Sequence, residues 1–213
     1  MLAGYITVAV LSVAAVLAAK QPEFVIEEDY RKVTIGSSVK LRHVASHHRL
    51  HSHEINYGSG SRQQSVTGFK NGDDPNSYWA VVPAIGDEAS LQRGDGIACG
   101  SHFRLQHLQT KKYLHSHMHQ SPLSNQQEVS AYQGSDTGDN WRVVCVDRSE
   151  KYWFRESQVR LQHVDTNKFL SANKGIHFNN PIPGQLEIAC SGSQGANEVW
   201  ATAEGIYFAD RNM

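Results

Sequence analysis

An all-β fold built from three equivalent units around one apolar centre is what this sequence predicts. Three observations predict it. The first is a repeated frame. Leu50-His51-Ser52-His53 returns as Leu114-His115-Ser116-His117, and each lies nine residues after the leucine of a V/F-x-L-x-H stretch, Val39–His43 and Phe103–His107. A third frame, Val159–His163, is followed by Leu170-Ser171-Ala172-Asn173, where the His-Ser-His is lost. The second is a recurring tryptophan, Trp79, Trp141 and Trp200, that ends each copy 38, 36 and 39 residues after its first leucine. The third is the spacing itself. Copies begin 64 and 56 residues apart, and self-similarity at such a period is the signature of a repeat architecture.

Each copy in turn reads as short strands. Val33-Thr34-Ile35 opens the first. Val39, Leu41 and His43 alternate with Lys40, Arg42 and Val44, the period of a strand. On the next strand Leu50 and Ser52 face one side, His51 and His53 the other. A Gly58–Ser61 loop leads to Ser65-Val66-Thr67, and an Asn71–Pro75 loop leads to Tyr78–Val82. Turn residues between β-type runs and no helical stripe give about four strands per copy. Repeats are expected over 33–86, 95–148 and 152–208, with links at 86–98 and 147–157. A lone hairpin is marginal in water, so each copy needs its neighbours to cover its apolar face. Closing three copies about a pseudo-threefold axis gives a β-trefoil. Its predicted core is Leu41, Leu50, Val66 and Trp79, then Leu105, Leu114, Val129 and Trp141, then Leu161, Leu170, Ile188 and Trp200. A β-propeller, the alternative, usually needs four or more blades.

Composition limits the function classes. The 213 residues carry a formal charge of −1, which argues against nucleic acid as partner, because phosphate binding needs clustered Lys and Arg. Residues 2–19 are apolar or small and uncharged, and Val16-Leu17-Ala18-Ala19 offers a small-residue cut after Ala18. A signal peptide over 1–18 is expected, although no Lys or Arg precedes the apolar run. An uncleaved anchor is the alternative, at the lower edge of spanning length. No membrane span is expected in the mature chain. Residues 19–32 should form a loose, acidic leader. Cysteines 99, 145 and 190 would then meet an oxidising compartment, which implies one disulfide and one thiol. Cys99 stands before the second copy and Cys145 four residues after its tryptophan, so we expect a Cys99–Cys145 bridge, with Cys190 packed as a small apolar residue.

The L-H-S-H copies, the run Gly58-Ser59-Gly60-Ser61…Gln63-Gln64-Ser65-Val66-Thr67-Gly68, the run Ser121-Pro122-Leu123-Ser124…Glu128-Val129-Ser130-Ala131, and Trp200…Glu204-Gly205-Ile206 resemble the MIR repeats of the stromal cell-derived factor 2 family. The resemblance covers about 33–208. MIR repeats also occur in protein O-mannosyltransferases and in inositol-trisphosphate and ryanodine receptors. The resemblance implies a β-trefoil of three four-stranded MIR repeats in the endoplasmic reticulum lumen. It implies as partners an ER J-domain co-chaperone, the lumenal Hsp70 and unfolded client proteins, in protein quality control. Family members commonly end in an HDEL-type retrieval signal, and here the last residues are Asp210-Arg211-Asn212-Met213. Retention by a partner, secretion and an alternative C-terminus are the three readings.

The candidate sites divide by chemistry. His51 with His53, and His115 with His117, are H-x-H pairs on one strand face, a possible zinc or copper pair. The third copy lacks both, and no carboxylate or cysteine near them in sequence completes a tetrahedral set, so no metal is expected. His43, His107 and His163 occur in all three copies, which points to a structural task such as bonding a turn carbonyl. Ser, His and Asp are present without a G-x-S-x-G context or any phosphate loop, so no catalytic residues, cofactor or enzyme activity are expected. A protein-binding adaptor is the leading expectation. Its contacts would come from the histidine pairs His51, His53, His115 and His117, expected to be exposed, and from Asp73, Asp74, Asp136 and Asp139 in the loops 71–76 and 134–140. A lectin for mannose-type glycans is the alternative. It is weakened by tryptophans at core-like positions and by the missing Q-x-W signature.

Overall fold

The computed structural model describes residues 25–213. The signal peptide expected over 1–18 and the start of the leader lie outside the described residues. Twelve strands form one sheet system. The first repeat holds β1 (Ser38–His43), β2 (Arg49–Asn56), β3 (Gln64–Phe69) and β4 (Trp79–Pro83). The second holds β5 (His102–His107), β6 (Tyr113–Gln120), β7 (Gln127–Tyr132) and β8 (Trp141–Cys145). The third holds β9 (Gln158–His163), β10 (Phe169–His177), β11 (Leu186–Ser191) and β12 (Trp200–Ile206).

The strands close in two layers. β1, β4, β5, β8, β9 and β12 pair antiparallel in a complete ring, which leaves no open edge. The hairpins β2–β3, β6–β7 and β10–β11 cap one end. There β3, β7 and β11 touch pairwise, with Ser65 opposite Ser130, Ala189 opposite Glu128 and Glu187 opposite Thr67. This is the β-trefoil that the repeat spacing predicts.

All twelve predicted core side chains are 0% exposed. The tryptophans occupy equivalent surroundings. The Nε1–H of Trp79 donates to the Leu50 carbonyl (3.0 Å), Trp141 to Leu114 (2.9 Å) and Trp200 to Leu170 (2.9 Å). A buried indole N–H usually finds such an acceptor, and for these three the hairpin leucine supplies it.

The links are not spacers. Val33, Ile97 and Trp153 are buried and join in a cyclic set of backbone hydrogen bonds. Val33 N–H donates to Trp153 O, Trp153 N–H to Ile97 O and Ile97 N–H to Val33 O, at 2.8, 2.8 and 3.0 Å. This ring plugs the barrel end opposite the hairpin cap, so the stretches 86–98 and 147–157 each contribute a core residue. The leader, expected to be loose, is fastened at its described end. Glu28–Tyr30 is a 3-10 turn, Lys32 bridges to Phe154, and its ammonium pairs with Asp210 beside the Tyr152 ring. The lysine charge is thereby matched at the barrel wall, which holds the segment down.

Cys99 and Cys145 are disulfide-bonded across 46 residues, with Cα atoms 5.7 Å apart. Cys190 is a buried free thiol, and burial pushes its pKa up to about 12.

Candidate functional site

The histidines fall into two structural classes. His43, His107 and His163 are buried and tied identically. Each Nε2–H donates to a carbonyl three residues before the tryptophan of the neighbouring, preceding repeat: Asn197 (3.0 Å), Asn76 (2.8 Å) and Gly138 (3.0 Å). Each Nδ1 accepts from a turn hydroxyl, on Ser46, Thr110 or Thr166. Burial lowers the proton affinity of all three. They are neutral turn-fasteners, the structural task their repetition implies.

The second class lies where each hairpin faces the 3-10 turn that precedes the last strand of its repeat. In the first repeat His51 is wedged between Phe69 (ring centroids 4.8 Å apart) and the turn Pro75–Ser77. Its Nδ1 is hydrogen-bonded to Ser77 Oγ (3.2 Å) and its Nε2 to His53 Nδ1 (2.9 Å). Burial, then the neighbouring His53, lowers its pKa to about 4. Asp74 caps the turn by accepting from the Asn76 amide, while Asp73 is exposed.

In the second repeat carboxylates join the same wedge. His115 packs on Tyr132 (4.8 Å), and its Nδ1–H donates to Asp139 Oδ1 (2.9 Å), with Asp136 Oδ1 at 3.6 Å. Asp136 and Asp139 form a capping box around the turn Thr137–Asp139. Burial raises the Asp139 pKa, outweighing the hydrogen bond from His115. Two residues further along the strand, His117 Nε2–H donates to Glu128 Oε1 (3.0 Å). Burial pushes the Glu128 carboxyl up, but bonds from His117 and Ser61 prevail and hold it below the usual range.

One expectation is corrected here. The histidine pairs are not exposed. His51, His115 and Asp139 are buried, because each strand face meets an aromatic ring and a 3-10 turn and not solvent. His53 and His117 are only partly open, which leaves Asp73 and Asp136 as the exposed members of the expected contact set. Two carboxylates approach one histidine of the second pair. Donor atoms of His115, Asp136 and Asp139 lie within 4.8 Å of one another. The helix-capping and His–Asp hydrogen bonds account for that grouping without an ion.

The third repeat keeps the location and changes the contents. Ser171 and Asn173 stand where the histidines stand elsewhere, and Ser191 replaces Phe69 and Tyr132 in the facing register. A cleft of about 310 Å³ opens there. Glu198 accepts from Ser171 Oγ (2.9 Å), Ser191 Oγ (2.7 Å) and Gly195 N–H (2.7 Å). Glu187 accepts from the amides of Leu123 (2.7 Å) and Ser124 (3.0 Å), so it also straps the second repeat to the third. Glu128 straps the first repeat to the second in the same way through Ser61. Sequence reading missed Glu128, Glu187 and Glu198. The available signal was that Glu128 and Glu187 immediately precede a recurring core position, Val129 or Ile188.

The comparisons with known proteins agree with this geometry. The chain matches the MIR domain family over residues 51–201. The stromal cell-derived factor 2-like protein of Arabidopsis thaliana is 43% identical over 179 residues, covering 83% of this chain and 80% of that protein. Stromal cell-derived factor 2-like protein 1 of Homo sapiens is 46% identical over 175 residues, covering 82% and 78%. The crystal structure of the SDF2-like protein from Arabidopsis thaliana matches with a TM-score of 0.81 at 42% identity, over 84% of this chain and 99% of that one. The S. cerevisiae protein O-mannosyltransferase Pmt1–Pmt2 complex bound to the sugar donor contains a 26% identical region with a TM-score of 0.74, covering 87% of this chain and 27% of that one. A fold built from three MIR-type hairpin units, with relatives at this identity over most of its length, places the chain: it belongs to the stromal cell-derived factor 2 family.

Proposed function

We propose that this protein is a non-catalytic adaptor of the endoplasmic reticulum lumen. It joins an ER J-domain co-chaperone and the lumenal Hsp70, and serves unfolded clients in protein folding and quality control. The observation that carries this reading is the family membership across most of the relatives' length. Fold alone would not give it. Three features of the molecule support it. The disulfide suits an oxidising compartment. Among the described residues no helix is long and apolar enough to cross a membrane. The histidines and acids with chemical potential are tied into caps and straps, which leaves the surface as the working part.

The lectin alternative is weakened by the tryptophans, all four of which are 0% exposed; none offers a platform for a sugar ring. The test is direct. The purified mature chain should capture a purified ER J-domain co-chaperone at a fixed stoichiometry. Absence of that complex together with strong mannoside binding on a glycan array would reverse the assignment.

A further inference from the structure

The three wedges form a graded series. The first repeat has the imidazoles without the two buried acids, since Ser65 and Ser77 stand where the others carry carboxylates; its turn-capping Asp74 corresponds to Asp136 of the second. The second has both, His115 on Asp139 and His117 on Glu128. The third has the acids without the imidazoles. Glu198 and Glu187 remain at the positions of Asp139 and Glu128, each at most 3% exposed, while Ser171 and Asn173 have vacated the histidine positions.

The vacated space is the cleft lined by Ser171, Asn173, Ser191, Glu187 and Glu198. The five hydrogen bonds to its two carboxylates come only from neutral donors. Two carboxylates offer about eight acceptor positions, so acceptor capacity remains. Among the described residues neither carboxylate is in an ion pair. Buried carboxylates without a cationic partner are costly. The open space is the one the imidazoles fill in the second repeat.

We infer that the third-repeat cleft is a recognition site for a basic side chain, best an arginine, presented by a partner protein. This rests on the adaptor reading and names the chemistry of its contact. A guanidinium brings several donors in a fixed plane, which suits two carboxylates and the Asn173 carbonyl. Its aliphatic stem is accommodated by Ile176 and Ala189 at the cleft wall. A sugar is the poorer occupant, because no aromatic ring lines this cleft.

The test titrates the isotope-labelled mature chain with two peptides, acetyl-Gly-Arg-Gly-amide and its citrulline counterpart, followed by amide NMR. The arginine peptide should shift Ser171, Asn173, Ser191 and Gly195, and should bind about tenfold or more tightly than citrulline, the scale of a charged hydrogen bond. Added salt should weaken it. Equal binding of the two peptides, or shifts confined to other repeats, would overturn the site.

Two variants separate causes. The double variant Ser171→His with Asn173→His rebuilds the second repeat's arrangement, so it should stay folded and lose arginine binding. Glu198→Gln keeps a side-chain carbonyl for Ser171 and Ser191 and should weaken binding about tenfold. Either variant binding like the parent would refute the proposal. Capture of the purified J-domain co-chaperone distinguishes the two levels. Undiminished capture by a folded double variant sinks the cleft and leaves the adaptor. Arginine binding without any capture by the parent sinks the adaptor and leaves the cleft.

Discussion

Protonating His51 means charging an imidazole that touches Phe69, Ser77 and another histidine. Burial and His53 hold its pKa at about 4, against 6.5 when unfolded. The folded state therefore refuses a proton that the unfolded chain accepts. Stability is unaffected above about pH 6.5 and falls as pH drops towards 4, by up to about 3 kcal/mol from this residue. His43, His107 and His163 shift in the same direction through burial and add to it. Urea unfolding over that pH range should show the loss; a flat profile would contradict the placement of these rings. The tryptophans separate by their hydrogen bonds. Trp141→Phe should cost about 2–3 kcal/mol, because it thins the core and leaves the Leu114 carbonyl unpaired. Trp153 Nε1 has no acceptor among the described residues, so Trp153→Phe should cost about 1 kcal/mol less. Comparing the two unfolding free energies checks this. At this scale the sequence disclosed which histidines repeat, and repetition correctly marked His43, His107 and His163 as structural. It could not disclose that His51 and His115 are buried, because alternation says which face a side chain takes and not what covers that face.

Elements are joined by devices that local pattern does not encode. The disulfide ties the entry of β5 to the end of β8 across 46 residues. Replacing both cysteines by serine should cost about 4 kcal/mol through restored freedom of the unfolded loop, read as a lower unfolding midpoint. Glu128 holds the 58–62 loop of the neighbouring repeat. Glu128→Gln removes a charged acceptor and should cost about 1.5–3 kcal/mol, with faster hydrogen exchange at the Ser61 amide as the local sign. Strand positions were legible here because apolar residues alternate between turn signals. The Val33–Ile97–Trp153 ring was not, because its members lie in three segments far apart in the chain, and only closure of the barrel brings them together. The third hairpin also departs from its siblings. Gln64 and Gln127 bond the hydroxyls of Ser52 and Ser116, whereas Leu186 and Ala172 occupy those places as buried apolar groups.

The molecule as a whole owes its fold to closure. Every repeat contributes strands to a ring and a hairpin to a cap that its neighbours complete, so residues 33–86 alone should show no cooperative unfolding transition by circular dichroism. Fold class and core composition were readable because threefold recurrence constrains both. The working cleft was hidden because it arises where the recurrence fails, at Ser171, Asn173 and Ser191. Closure has a mechanical side as well. The first and last strands, β1 and β12, are antiparallel partners, with Ser38 opposite Ile206, so both ends of the barrel chain leave from one rim. Tension applied across those ends would meet the ladder one rung at a time and peel it open like a zip, once the Lys32–Asp210 clasp and the Val33 backbone bonds to Trp153 and Ile97 give way. The seam where a sealed barrel closes is therefore also the place where pulling on its termini would open it.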